Sequence, residues 1–364
     1  MKKLKVGVIG AGKVAELHLL GYEQIDNVEV VACADINKAR LQHIGGKWGL
    51  RCYENFEDML KQEKLDIACI CSPASTHRKI TTKCAEYGLS ILCEKPIAIT
   101  LEDALDMIAA CKKAGVKFYY GSSYRCLPPC IRAKEMIDAG EIGDVILMLE
   151  TYVGGSGPEE WVDMGPHHYP VGGPGGGGMG IVDHGIHLVD IFSWFSKSRA
   201  ATVFGRGNIS GRSPLTEYLT IQFEGGAIGQ LIYNDATYPT VTPYEGMLSQ
   251  GVTWDLNCNL LPAGKWDPQP QCIHVHGTKG ALRIYHYANK MFFFNRDGIR
   301  EVIVNGRPNP GHFGTQIEFF ANSILRGEEP RVTGRDGVRA LQIILAAYES
   351  EKSEKTIHIK EILP

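Results

Sequence analysis

A glycine turn set between an apolar strand and an amphipathic helix limits what this chain can build more than any other feature. The run 4–9 is apolar and leads straight into Gly10-Ala11-Gly12-Lys13-Val14-Ala15, where a helical pattern begins. The first glycine permits a tight turn, the second lets the backbone approach a pyrophosphate, and a small residue at Ala15 lets the helix pack on the strand. Backbone N–H groups at the helix N-terminus then meet the phosphate charge. The next apolar run, 28–34, ends at Asp35, a carboxylate placed to accept hydrogen bonds from adenosine ribose hydroxyls. Ile36 follows, where a 2′-phosphate would call for a cation, and only the nearby Lys38 keeps NADP open. The spacing predicts a domain that holds NAD in preference to NADP, through Gly10, Gly12, Lys13, Val14 and Asp35.

The alternation continues. Apolar runs at 66–71, 90–93 and 117–120 are separated by helical patterns at 36–48, 76–87 and 101–114, so the strands pair in parallel. Past Pro128-Pro129 the pattern changes. One helix (131–139) and one long strand (144–152) precede a Gly/Pro-rich stretch without periodicity, 154–180. A helix over 182–195 is followed by β-rich runs at 216–223, 227–234, 272–276, 281–287, 291–295 and 301–304. Helices over 313–325 and 336–349 and a strand at 356–359 complete the pattern. At 364 residues the chain exceeds what one core supports. The expected fold is α/β: an N-terminal Rossmann domain with a doubly wound parallel sheet (1–123), then a C-terminal α+β domain with a large open, mainly antiparallel sheet (124–364).

A formal net charge of -3 and the lack of a basic run argue against nucleic acid. No apolar run approaches the roughly 20 residues of a membrane span. The opening MKKLKVGVIG reads as a first strand rather than a signal peptide, so a cytoplasmic location is expected. Eleven cysteines cannot all pair within one chain, and most sit in strand or helix-face settings as small reduced hydrophobes. Cys69 with Cys71, and Cys126 with Cys130, lack the paired spacing of structural zinc, so no metal is expected.

Three further motifs carry chemistry. Ser72, Pro73, Thr76 and His77 follow the third strand, and Glu94-Lys95-Pro96 follows the next, both at the carboxyl edge where doubly wound folds bind ligands. A lone lysine in a loop is usually solvated, but here Pro96 stiffens it beside the expected nicotinamide. Asp183 and His187 lie at i and i+4 at the start of a helix and point the same way. A neutral imidazole there can accept a hydroxyl proton; the plain alternative is an N-cap by Asp183 with His187 at the surface. His167, His168, His184, His187 and Asp183 also invite a metal reading.

GAGKVA (10–15), CSPASTH (71–77), EKP (94–96) and DHGIH (183–187), in that order, resemble the family of glucose–fructose oxidoreductase, inositol dehydrogenase and the rhizopine-catabolism protein MocA. The resemblance implies an NAD-dependent oxidoreductase acting on a secondary hydroxyl or ketone of a sugar, a glycoside (at C3 among the options) or a cyclic polyol such as inositol, without a metal. It makes Lys95 the residue that holds the reacting hydroxyl and favours its deprotonation, with Asp183 and His187 as its catalytic companions. It leaves open whether Lys95 or His187 is the base. Glu94 and Lys95 join Ser72, Pro73, Thr76 and His77 as cofactor contacts. Tyr124, Arg125, Trp161, His167, His168 and His184 are expected to line the substrate pocket. The antiparallel sheet is expected to form a homo-oligomer interface. Two other classes fit the same motifs: a redox-neutral glycosidase or eliminase with tightly bound NAD, and a non-catalytic NAD sensor.

Overall fold

The computed structural model describes residues 3–153, 181–207, 216–234, 272–307 and 309–362. The described residues form two compact units. The first takes in Met1–Ser123 and also Pro310–Leu341; the second holds the described parts of 124–309 and Gln342–Pro364.

In the first unit six strands, β1 (Leu4–Ile9), β2 (Val28–Ala34), β3 (Arg51–Tyr53), β4 (Ile67–Ile70), β5 (Ser90–Glu94) and β6 (Phe118–Gly121), form one sheet in the order β3-β2-β1-β4-β5-β6. Every neighbouring pair is parallel. The order reverses between β1 and β4, which creates the crevice outside the strand ends where ligands of such sheets bind. β4 and β5 are buried along their whole length, β4 as an unbroken apolar run and β5 with Ile91, Leu92 and Cys93 apolar between Ser90 and Glu94. Helices α1 (Lys13–Tyr22), α2 (Lys38–Trp48), α3 (Phe56–Gln62), α4 (Ala74–Glu86) and α5 (Leu101–Ala114) connect them. Local capping sets their ends. Asn37 and Thr100 accept from backbone N–H groups at the starts of α2 and α5, and Gly115 closes α5 in the left-handed conformation. The chain later returns to this unit with α8 (His312–Arg326), which packs on α1. The contact is backbone-close, since a Cβ on Gly21 would stand 2.4 Å from the Gly314 nitrogen. The sequence pattern does not announce β3 and α3. β3 is three residues long and largely exposed, so it has no apolar run to read.

The second unit is built on a nine-stranded sheet. Its strands are β7 (Val145–Val153), β8 (Ala200–Arg206), β9 (Glu217–Phe223), β10 (Ile228–Asn234), β11 (Ile273–Gly277), β12 (Ala281–Tyr285), β13 (Lys290–Asn295), β14 (Gly298–Glu301) and β15 (Ile357–His358). Their order is β14-β13-β12-β11-β7-β10-β9-β8-β15, antiparallel except for the β7–β10 pair. α6 (Pro128–Asp138) packs on β12, and α7 (Ile186–Ser196) on β7 and β10. α9 (Gly334–Ser353) begins in the first unit and continues past Leu341 into the second. On β7 the residues Met148, Glu150 and Tyr152 are buried, whereas Leu147 and Leu149 alternate with them on the other face and are half-buried. β8 was not expected from the sequence, and β14 lies at 298–301 rather than 301–304. The hairpin explains the shift: Asn295 pairs with Gly298 across a two-residue loop, and that turn sets the register ahead of the apolar pair Val302-Ile303.

Candidate active site

The turn after β1 has the form a pyrophosphate cradle needs. Gly10 sits at φ +100°, and a Cβ there would stand 2.6 Å from the Cys71 carbonyl carbon, so only glycine fits. Gly12 caps α1 without a side-chain hydrogen bond, and a Cβ on it would meet nothing within 4 Å. The helix N-terminus therefore opens onto space, as a phosphate site requires. Asp35 is braced by the turn itself: its carboxylate accepts from the Ala11 N–H (2.6 Å) and the Asn37 N–H (2.7 Å). Ile36 is 92% exposed, an apolar surface beside that carboxylate. Lys38 is paired with Glu54 at 2.9 Å. Lys13 is exposed and Val14 half-buried.

At the neighbouring strand ends, the Ser72 and Thr76 hydroxyls lie 2.7 Å apart, and the Thr76 hydroxyl donates to the Pro73 carbonyl. His77 is buried, with its two ring nitrogens 2.8 Å from the Ser72 carbonyl and 3.1 Å from the Ile97 carbonyl. Burial lowers its pKa, which favours the neutral ring, and its one N–H then donates to one of these two carbonyls while the ring packs between the β4 and β5 loops. Glu94 is likewise turned inward. One oxygen accepts from His18 Nε2 (2.7 Å) and the other from the Lys95 N–H (3.0 Å). Glu94 and His77 thus shape the loop, and half-buried Lys95 stands on it, followed by a cis peptide bond to Pro96.

In the second unit the helix carrying the acid and the histidine does not start as an α-helix. Ile181–Gly185 is a π-turn, a form common at functional sites, and α7 follows from Ile186. Its first N–H, on Ile181, donates to the buried Glu217 carboxylate at 2.7 Å. Gly185 lets this turn approach β10, since a Cβ there would stand 2.7 Å from Leu231. Asp183 is half-buried, whereas His187 is 6% exposed.

The His187 ring lies flat on Tyr124, with centroids 4.0 Å apart and planes 5° from parallel. Tyr124 is itself pinned: its hydroxyl bonds to that of Tyr287 and to His184 Nδ1 (3.2 Å). His184 Nε2 donates to Glu150 at 2.8 Å. Burial alone would raise the Glu150 pKa, but His184, His286 and His274 together hold it below the ordinary carboxylate value. His286 stands 3.9 Å from the same carboxylate, and burial pushes its pKa down to about 4. Behind this cluster, Arg125 grips Asp190 of α7 with two hydrogen bonds, 2.7 and 2.5 Å, both residues being buried.

The structure thus gathers Tyr124, His184 and His187 into one cluster, and turns Tyr124, Arg125 and His184 inward. Trp161, His167 and His168 lie outside the described residues. Sequence reading passed over Glu150, Asp190, His286 and Tyr287. The visible signal for Glu150 was its parity with Met148 and Tyr152 on an inward face.

The comparisons with known proteins agree with the fold. A family described as an oxidoreductase family with an NAD-binding Rossmann fold (Gfo/Idh/MocA) matches residues 4–122. Its companion, a C-terminal alpha/beta domain, matches residues 134–359. D-apiose dehydrogenase of Paraburkholderia graminis is 26% identical over all of this chain and 91% of its own length. Myo-inositol 2-dehydrogenase of Thermotoga maritima is 24% identical over 99% of this chain and 100% of its own. Among solved structures, levoglucosan dehydrogenase in complex with NADH and levoglucosan superposes with a TM-score of 0.80 at 18% identity, covering 99% of this chain and 100% of that one.

Proposed function

We propose, from the premise that this chain belongs to the Gfo/Idh/MocA oxidoreductase family, that it moves hydride between NAD and a secondary hydroxyl or ketone of a sugar, glycoside or cyclic polyol. The single observation that carries the reading is the His187 ring, stacked flat on a Tyr124 that a buried hydrogen-bonded chain from Glu150 through His184 pins in place. An imidazole fixed in this way is pre-organised for proton transfer. The named relatives supply the substrate class: apiose, myo-inositol and levoglucosan all present ring or chain hydroxyls.

When bound, NAD supplies the hydride acceptor. The chain's own residues do the rest. Gly10 and Gly12 let the pyrophosphate approach the N-terminus of α1, with Lys13 and Val14 in the first turn, and Asp35 receives the adenosine ribose. Ser72, Pro73, Thr76 and Lys95 border the nicotinamide end, and Glu94 and His77 hold their loops. NAD is favoured over NADP because Asp35 would repel a 2′-phosphate and Lys38, the first cation after it in the sequence, is paired with Glu54. Lys95 hydrogen-bonds the reacting oxygen and stabilises its developing negative charge. His187 takes the hydroxyl proton as the carbon gives up hydride, and Asp183 orients the substrate or the imidazole. Tyr124, His184 and Arg125 form the layer beneath His187.

The sheet face that carries half-buried Leu147, Leu149, Ile232, Phe292 and Phe294 and exposed Ile228 has an apolar character that suits a second copy of the chain. No helix among the described residues is long and apolar enough to cross a membrane, and the ten described cysteines are free thiols. A cytoplasmic location fits that reduced state.

The test is turnover of a panel of free sugars, glycosides and inositols with NAD or NADP, read by absorbance of the reduced nicotinamide and by product analysis. His187→Gln should lower kcat by about 10²–10⁴-fold with NAD affinity unchanged. A panel with no change in nicotinamide redox state, or one in which glycosides are cleaved without net NADH, sinks the dehydrogenase reading.

A further inference from the structure

Beneath the Lys95 loop, within the first unit, lies a buried cluster that hydride transfer does not use. His18 and Tyr22 are one turn apart on α1, so they share a face. Cys69 is on β4 and Cys71 lies two residues on, so both sulfurs fall on the same side of the chain. The Cys69 and Cys71 sulfurs are 3.6 Å apart. The Tyr22 hydroxyl lies 3.1 Å from Cys69 Sγ and 2.8 Å from His18 Nδ1. A His18 ring nitrogen and the two sulfurs all stand within 4.8 Å of one another. All four residues are buried.

We propose that His18, Cys69 and Cys71, with the Tyr22 hydroxyl as fourth donor, form a binding site for one thiophilic divalent cation of the zinc class. Three arguments meet here. A tetrahedral zinc with sulfurs at about 2.3 Å places those sulfurs roughly 3.8 Å apart, and the pair stands at 3.6 Å without adjustment of the backbone. His18 gives its Nε2–H to Glu94, and its Nδ1 would exchange the hydrogen bond of the Tyr22 hydroxyl for the ion; a carboxylate on the far nitrogen is the usual outer partner of a metal-binding imidazole. Two sulfurs and one imidazole select zinc-class ions over magnesium or calcium. Four donors from the protein would close the site, so the ion is structural rather than a second reaction centre. Its reach to the chemistry is mechanical, because the Glu94 carboxylate that holds His18 also holds the Lys95 N–H. Spacing along the chain conceals the set, since two ligands come from a strand end and the others from a helix about fifty residues earlier.

The whole chain, stripped with chelator and refilled with cobalt, tests the proposal independently of turnover. About one cobalt per chain should bind, with a sulfur-to-cobalt charge-transfer band and the visible bands of a tetrahedral ion. Cys69→Ser and Cys71→Ser should each remove about half of the charge-transfer intensity, whereas Cys52→Ser, at an exposed thiol, should leave it intact. X-ray absorption of the wild-type zinc form, which needs no variant to fold, should show two sulfur neighbours. Cobalt binding with no sulfur signature, a band that survives loss of both cysteines, or a zinc shell without sulfur overturns the site and leaves a hydrogen-bonded chain in its place.

Discussion

Acid should weaken the second unit through one ring. His286 is 3% exposed, stands 3.9 Å from Glu150 and packs against Tyr124 and Tyr287, and its pKa falls from 6.5 to about 4 on folding. The folded protein therefore keeps this imidazole neutral while the unfolded chain takes up a proton. Stability from this group is fully present above about pH 6.5, declines as pH falls and levels off below about pH 4. The whole effect is about 3 kcal/mol, of which about 2 kcal/mol is lost by pH 5, using about 1.4 kcal/mol per pH unit. Glu150, whose carboxylate faces His286 and His184, has a depressed pKa and is stabilising only while ionised, so it acts in the same direction at still lower pH. To isolate the ring, His286→Leu and wild type are unfolded with urea, followed by far-ultraviolet circular dichroism, at about pH 7.5 and about pH 5. The difference between the two proteins should move by about 2 kcal/mol in the variant's favour as the pH drops. Contributions shared by both proteins, including those of the first unit, cancel in that difference. Parallel pH profiles would show that His286 titrates as an ordinary histidine, and the account of the cluster would fail.

Two further perturbations test the scaffold. Arg125→Met leaves the Asp190 carboxylate buried without its guanidinium and should cost about 3–5 kcal/mol in urea unfolding, with much of that recovered by adding Asp190→Leu; a loss under about 1 kcal/mol would mean the pair is not structural. Gly10→Ala places a Cβ 2.6 Å from the Cys71 carbonyl carbon at φ +100°, and NAD affinity measured by calorimetry should fall at least about tenfold, equivalent to about 1.4 kcal/mol. Unchanged affinity would refute the cradle geometry.

What could be read from the chain, and what could not, divides along a physical line. Gly10, Asp35 and Lys95 sit at places where the local backbone is constrained, and strand, turn and helix patterns locate them without any knowledge of the partners. The parallel sheet was legible for the same reason, since β4 and the centre of β5, buried on both sides, read as short apolar runs. β3 and β8 were not legible, because a short exposed strand and one interrupted by glycine carry no pattern of their own. Arg125 and His184 are the instructive cases. Their types suit a sugar pocket, yet Arg125 is turned to Asp190 and His184 to Glu150. The clue was in the alternation of β7: if Met148 and Tyr152 point inward, so does Glu150, and a buried carboxylate must find a donor. Parity thus states that a partner exists. Which residue it is depends on the π-turn that brings His184 to β7, and no local pattern in the sequence encodes that approach. The contacts that local pattern does not disclose are those with distant partners, and the same holds for His18, Cys69 and Cys71, which look like ordinary core residues until the helix and the strand end are brought together.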